Sequence, residues 1–206
     1  MIRNLLLCAF CVVASAGAQS TTDPVRRGSN ELNIWAGVSF KPVTAFSGIT
    51  SQEAQGRKFM IVGLGYARGI GSKGPLSLQY TVDAIPVVVA TNDILQFTPS
   101  PQPRGTAYGF GLMPLGLRLN LGRSAKLKPF VAIGAGGMLF SKPVPLPDAG
   151  KFAYALEGGG GVRWFRTSGR GVFVGAKLHH ISNGNRSGSN RGLNQILFFT
   201  GVSFPK

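Results

Sequence analysis

Apolar and polar residues alternate along most of this chain, in short stretches separated by turn residues. In PLSLQYTVDAI (75–85), Leu76, Leu78, Tyr80, Val82 and Ala84 fall on one side, opposite Ser77, Gln79, Thr81 and Asp83. In ELNIWAGVSFK (31–41), Leu32, Ile34, Ala36, Val38 and Phe40 oppose Asn33, Trp35, Gly37, Ser39 and Lys41. The same period of two runs through 58–69, 108–121, 128–140, 152–165, 171–182 and 193–204. Side chains two residues apart share one face of a strand. The pattern therefore predicts eight strands and an all-β fold.

These strands have one apolar face and one that is polar or rich in glycine. An even number of such strands is the pattern of an eight-stranded antiparallel transmembrane β-barrel of the outer membrane. Closure removes the sheet edges and satisfies every backbone group in lipid. At eight strands, side chains fill the interior. The predicted inward positions include Asp83, Arg118, Glu157, Arg163 and Lys177, with Glu157 as an ion-pair partner for one of the cations. The connections alternate between short turns (71–74, 122–125, 167–170) and long segments (42–57, 86–107, 141–151, 183–192). Short turns belong on the periplasmic side and long loops outside. The last strand ends on an aromatic residue, Phe204.

Chemistry concentrates near the C-terminus, in LHHISNGNRSGSNRGLNQ (178–195). His180 and Ser182 are two residues apart on one strand face, about 6–7 Å apart along the backbone. That places a base beside a nucleophile. Strand parity puts His180 and Ser182 in the row of Val172, Val174, Ala176 and Leu178, while Lys177 lies in the opposite row. In the last strand Asn194 shares its row with Ile196, Phe198 and Val202. All three polar residues are thus expected to face lipid near the outer rim. Polar groups there are costly unless they have a purpose. Ordinary rim polarity is the competing explanation.

The N-terminus reads as a secretory signal peptide, residues 1–18. Arg3 precedes the short apolar run Leu5–Val13, and Ala16-Gly17-Ala18 forms a small-residue cleavage site. Residues 19–30 are expected to be a loose mature N-terminus, and 31–206 the barrel. Both cysteines, Cys8 and Cys11, lie in the leader, so no disulfide is expected. No later run is long enough for a membrane-spanning helix. The chain has 22 Lys+Arg against 7 Asp+Glu, which favours an anionic membrane surface as partner and, in an exported protein, argues against nucleic acid. His179 and His180 point to opposite faces and carboxylates are few, so no metal or cofactor is expected.

His180-Ile-Ser182-Asn183-Gly184, followed by Asn190-Arg-Gly192-Leu193-Asn194, resembles the lipid A 3-O-deacylase (PagL) family. The resemblance implies an outer-membrane serine esterase that removes the 3-O-linked acyl chain of lipid A, the anchor of lipopolysaccharide. It assigns Ser182 as nucleophile and His180 as base, and it places Asn183, Gly184, Asn185 and Asn190 where the oxyanion is stabilised. The family pattern has Glu as the third member, and this chain has Asn194. An Asn can hold an imidazole in place, but it cannot offset the imidazolium charge. A substitute carboxylate would come from a distant loop, such as Asp148; Gln195 has the wrong parity. The alternative function is a non-enzymatic structural or lipid-binding barrel with a degenerate site. A lipase of other specificity and a soluble barrel are further alternatives, and the sequence leaves a homodimer open.

Overall fold

The computed structural model describes residues 24–40, 42–43, 57–92, 105–145, 149–167, 169–188, 190 and 192–206. The strands are β1 (Asn30–Ser39), β2 (Pro42–Val43), β3 (Lys58–Lys73), β4 (Leu76–Asn92), β5 (Gly105–Leu121), β6 (Leu127–Phe140), β7 (Phe152–Phe165), β8 (Gly171–Ser182) and β9 (Leu193–Pro205). Each pairs antiparallel with its neighbour, and β1 pairs with β9 from Glu31↔Pro205 to Val38↔Phe198. The short β2 resumes β1 along the same partner, with Pro42↔Gln195 and Val43↔Asn194. β1 and β2 are one stave, and the sheet is a closed eight-stranded barrel.

Three strands run further than the alternation predicts. β4 continues to Asn92 and β5 begins at Gly105, so both ends of the expected 86–107 connection belong to the barrel wall. Pro86 reads as a strand breaker in sequence. It sits where the β4–β5 register shifts between Ile85 and Val88, and a bulge tolerates a residue with no N–H to give. β3 extends to Lys73, so Gly74-Pro75 alone turns the chain into β4, with Gly74 at φ 59°. Residues 24–29 are not loose. Val25 is fully buried, and Gly28 N–H donates to Gly69 O at 2.8 Å, so this segment packs against the short-turn end. The leader and residues 19–23 lie outside the described residues.

The two rows separate as parity requires. Leu32, Ile34, Leu64, Leu115, Ile133, Leu156, Trp164, Val174 and Phe198 are exposed on the outside. The interior is layered. Toward the short turns, Glu31 accepts from Arg118 Nη1 at 3.1 Å and from Arg163 Nη2. Arg163 Nη1 also reaches Gln79 Oε1 and Asn120 Oδ1, each at 3.1 Å. Halfway up, Trp35 Nε1 donates to Asp83 Oδ1 at 2.7 Å, and Lys177 Nζ lies 4.0 Å from the Trp35 ring centroid and 2.8 Å from Glu157 Oε2. This confirms the expected partner for Glu157. Gly63 is required here, because a Cβ would stand 2.3 Å from Trp35 Cε2. Toward the long connections the core is mostly apolar, with Phe59, Ile61, Met138, Phe140, Ile181 and Leu197 buried around His179 and Gln195. Side chains fill the lumen at each of these levels, as in a packed small barrel.

Candidate active site

β8 and β9 pair residue for residue up to the long-connection end, so His180 stands directly opposite Asn194. Both belong to the outward rows, whose neighbours Val174, Leu178, Ile196 and Phe198 are exposed. The two side chains meet across the ladder: His180 Nδ1 and Asn194 Oδ1 are 2.6 Å apart. An amide oxygen only accepts, so Nδ1 carries the hydrogen and Nε2 presents a lone pair. Asn194 is 4% exposed, with β2 paired beside it at Val43. Its contact with the ring is therefore shielded from competing water.

Ser182 lies in the same row two residues beyond His180, opposite Tyr154 of β7. The chain then turns at once. Gly184 and Asn185 have φ of 63° and 62°, a consecutive left-handed pair that glycine and asparagine supply most readily. Asn183 holds the turn through its side chain: Oδ1 accepts from Asn185 N–H at 3.0 Å, and Nδ2 donates to Ala149 O at 2.8 Å and to Ser187 Oγ at 2.6 Å. The amide of Asn183 is thus turned into the loop, where it ties the β8–β9 connection to the β6–β7 connection. Asn190 is exposed on the return arm. Of the seven singled-out residues, the structure brings His180 and Asn194 into contact, sets Ser182 in their row, and gathers Asn183, Gly184 and Asn185 in one turn beside it.

Sequence reasoning overlooked three neighbours. Gly192 packs its backbone on the imidazole; a Cβ there would stand 2.4 Å from His180 Cε1. Tyr154 lies under the turn, where a Cβ on Gly184 would come within 2.9 Å of its ring. Arg186 Nη1 donates to Tyr154 Oη at 3.1 Å. Cross-strand register gave no signal for Gly192 and Arg186, which lie in the connection rather than on a strand, whereas Tyr154 stands opposite Ser182 on β7.

His180 also closes one end of an apolar groove on the outer wall, about 670 Å³ in volume. Its walls are Leu115, Leu117, Ile133, Leu156 and Leu178, and it runs across to Tyr80. From β8 to β4 is four strand spacings, or about 19 Å. The groove exists because outward positions on β6 and β7 are small: Ala135 and Gly158 lie between rows of leucine and isoleucine. Tyr80 is fixed at the far end by its hydroxyl on Pro114 O.

No carboxylate among the described residues joins the outward site. Glu31, Asp83 and Glu157 all point into the lumen, bound to Arg163, Trp35 and Lys177 respectively. Asp148 lies outside the described residues. No group of His, Cys, Asp and Glu suited to a metal ion occurs among the described residues.

A closed eight-stranded antiparallel barrel with an apolar outer wall defines a small outer-membrane β-barrel. The family model for lipid A 3-O-deacylase (PagL) matches residues 95–203, more than half of the sequence. The chain belongs to that family. Among solved structures, that of the outer membrane enzyme PagL superposes with a TM-score of 0.60 at 16% identity, covering 82% of this chain and 97% of that one. The Neisserial surface protein A matches with a TM-score of 0.50 at 13% identity, covering 86% and 98%. At these identities the structures support the fold. No curated protein matches the chain.

Proposed function

We propose that this protein is a serine esterase that hydrolyses the 3-O-linked acyl chain of lipid A from within the outer membrane. The observation that carries the proposal is the His180–Asn194 pair, held at 2.6 Å on the lipid-facing wall at the mouth of an apolar groove. A soluble substrate has no access to such a site, whereas a membrane-anchored ester lies beside it.

Ser182 Oγ attacks the acyl carbonyl carbon while its proton passes to His180 Nε2. The developing oxyanion is held by backbone N–H groups of the turn that follows Ser182, at Gly184 in particular, with Asn190 bordering the substrate. Asn185 N–H and the Asn183 amide are engaged inside the loop, so they shape this turn rather than donate to the oxyanion. Preorganised donors of this kind are worth about 3–4 kcal/mol each in acyl transfer. The tetrahedral intermediate collapses, the sugar oxygen leaves with the proton from His180, and an acyl-serine remains. Water, deprotonated by His180, then releases the fatty acid. Throughout, Asn194 fixes the tautomer that leaves Nε2 able to accept. It contributes no negative charge, so the imidazolium formed in each step is less stabilised than with a carboxylate. The acyl chain lies in the groove between Leu156 and Leu178, where each buried methylene contributes about 0.8 kcal/mol. No metal or cofactor is needed for these steps.

The missing carboxylate favours one competing reading, a barrel that binds lipid A without cleaving it. A fluorophosphonate ester separates the two. In the enzyme it labels Ser182, the labelling slows in His180→Ala, and lipopolysaccharide added beforehand protects the serine. A folded protein whose Ser182 does not react faster than its other serines is the non-enzymatic barrel.

A further inference from the structure

Exposed cations lie at both ends of the barrel. Among the described residues, the exposed cations of the long-connection end are Lys58, Lys142, Lys151 and Arg186. Among these described residues the short-turn end carries more. Lys73 projects from the β3–β4 hairpin, Arg123 and Lys126 from the turn 122–126, and Arg166 from the end of β7, while Arg26, Arg27 and Lys206 come from the terminal segments. The described acids, Glu31, Asp83 and Glu157, are turned into the lumen. The sequence favours an anionic membrane surface as partner, and among the described residues more of the exposed cations lie at the short-turn end.

Two of these cations flank an exposed tryptophan on the lipid-facing wall. Trp164 is 63% exposed and stands opposite Leu127 of β6, itself 50% exposed. Phe165 N–H donates to Lys126 O at 2.8 Å, so Lys126 borders this pair on one strand and Arg166 borders it on the other. The turn is fixed: Ser124 Oγ accepts from the N–H groups of Lys126 and Leu127 at 3.2 and 3.1 Å, and Lys128 Nζ donates to Gly122 O at 3.0 Å. Arg166 is held in the opposing turn, its N–H on Arg170 O at 2.8 Å. An indole on the acyl side with two cations one step further out matches the depth of a phospholipid headgroup.

We propose that Trp164, Lys126 and Arg166, within the wider basic collar, form a binding site for anionic phospholipids of the leaflet that faces the short turns. The phosphate and the negative headgroup engage the two cations, and the acyl chains lie on Trp164 and Leu127. The collar thereby anchors the lower rim and recruits a ring of acidic lipid, leaving the upper rim to a different substrate. This site shares no residue with the one around His180.

The chain has two tryptophans, and Trp35 is sealed inside the lumen at 6% exposure. Trp164 is therefore a local reporter. The refolded protein is placed in phosphatidylcholine vesicles containing a minor fraction of phosphatidylglycerol, with bromine on the acyl chains of one lipid or the other. Brominated phosphatidylglycerol is expected to quench Trp164 more than an equal mole fraction of brominated phosphatidylcholine, by roughly twofold or more, with the excess shrinking at high salt. Lys126→Glu with Arg166→Glu, both exposed turn positions, abolishes the excess, whereas Lys142→Glu with Lys151→Glu at the other rim leaves it. Equal quenching by the two lipids, or an excess that survives the lower-rim reversals, overturns the proposal.

Discussion

In the proposed mechanism, replacing Asn194 by alanine removes the partner that fixes the tautomer of His180 able to accept a proton. The bond lost is the 2.6 Å contact to Nδ1, made by a residue 4% exposed. Leaving a shielded N–H without its acceptor costs about 1–3 kcal/mol. If that loss falls on the transition state, kcat drops about 5- to 150-fold. Alanine offers no donor that would enforce the opposite tautomer, so the loss stays below the roughly 10⁴-fold seen when a protease triad is held the wrong way. Asn194 does not line the groove, so KM should change little. Initial rates of fatty-acid release from lipopolysaccharide, measured across substrate concentration, supply both constants; far-ultraviolet dichroism confirms the barrel. An unchanged kcat, or a loss expressed in KM alone, refutes the assigned role. Asn194→Glu adds the missing charge, and its kcat should exceed that of the parent protein.

Other outcomes follow from neighbouring contacts. Gly192→Val places a Cβ 2.4 Å from His180 Cε1, and since the imidazole must then move, kcat should fall at least about tenfold while the melting temperature holds. Gly158→Leu fills the groove without a clash, because a Cβ there meets only Ile133 Cγ2 at 3.8 Å. Denying burial to two or three methylenes costs about 2 kcal/mol, roughly thirtyfold in kcat/KM, and the effect should vanish for short-chain esters. Glu31→Ala strands Arg118 and Arg163 in the lower lumen. Breaking a buried charge cluster costs about 3–5 kcal/mol, visible as a lower urea midpoint in reversible unfolding, with activity retained by the folded fraction.

Much of this architecture was legible because strand parity is a two-state rule. Lys177 alone assigned the odd row of β8 to the lumen, and that put His180 and Ser182 outside. Glu31 obeyed the same parity as Asn33 and Trp35 but stood at the first position of a predicted strand, where its side was easily overlooked. Pro86 concealed strand continuity, because a proline is a breaker by local rule and is accommodated only where the register shifts, which depends on the partner strand. The role of Asn183 as a tether to Ala149 could not be read at all. It depends on where two long connections meet, and no periodicity encodes that. The groove needed five strands in register before its small residues, scattered at Ala135 and Gly158, became one floor.

The most direct test of the central claim is the mass spectrum of lipid A from outer membranes containing the parent protein or Ser182→Ala at equal abundance. The account predicts loss of one 3-hydroxyacyl mass with the parent and an unaltered spectrum with the variant. An unaltered spectrum with both, from correctly assembled barrels, or the same loss with both, would contradict it.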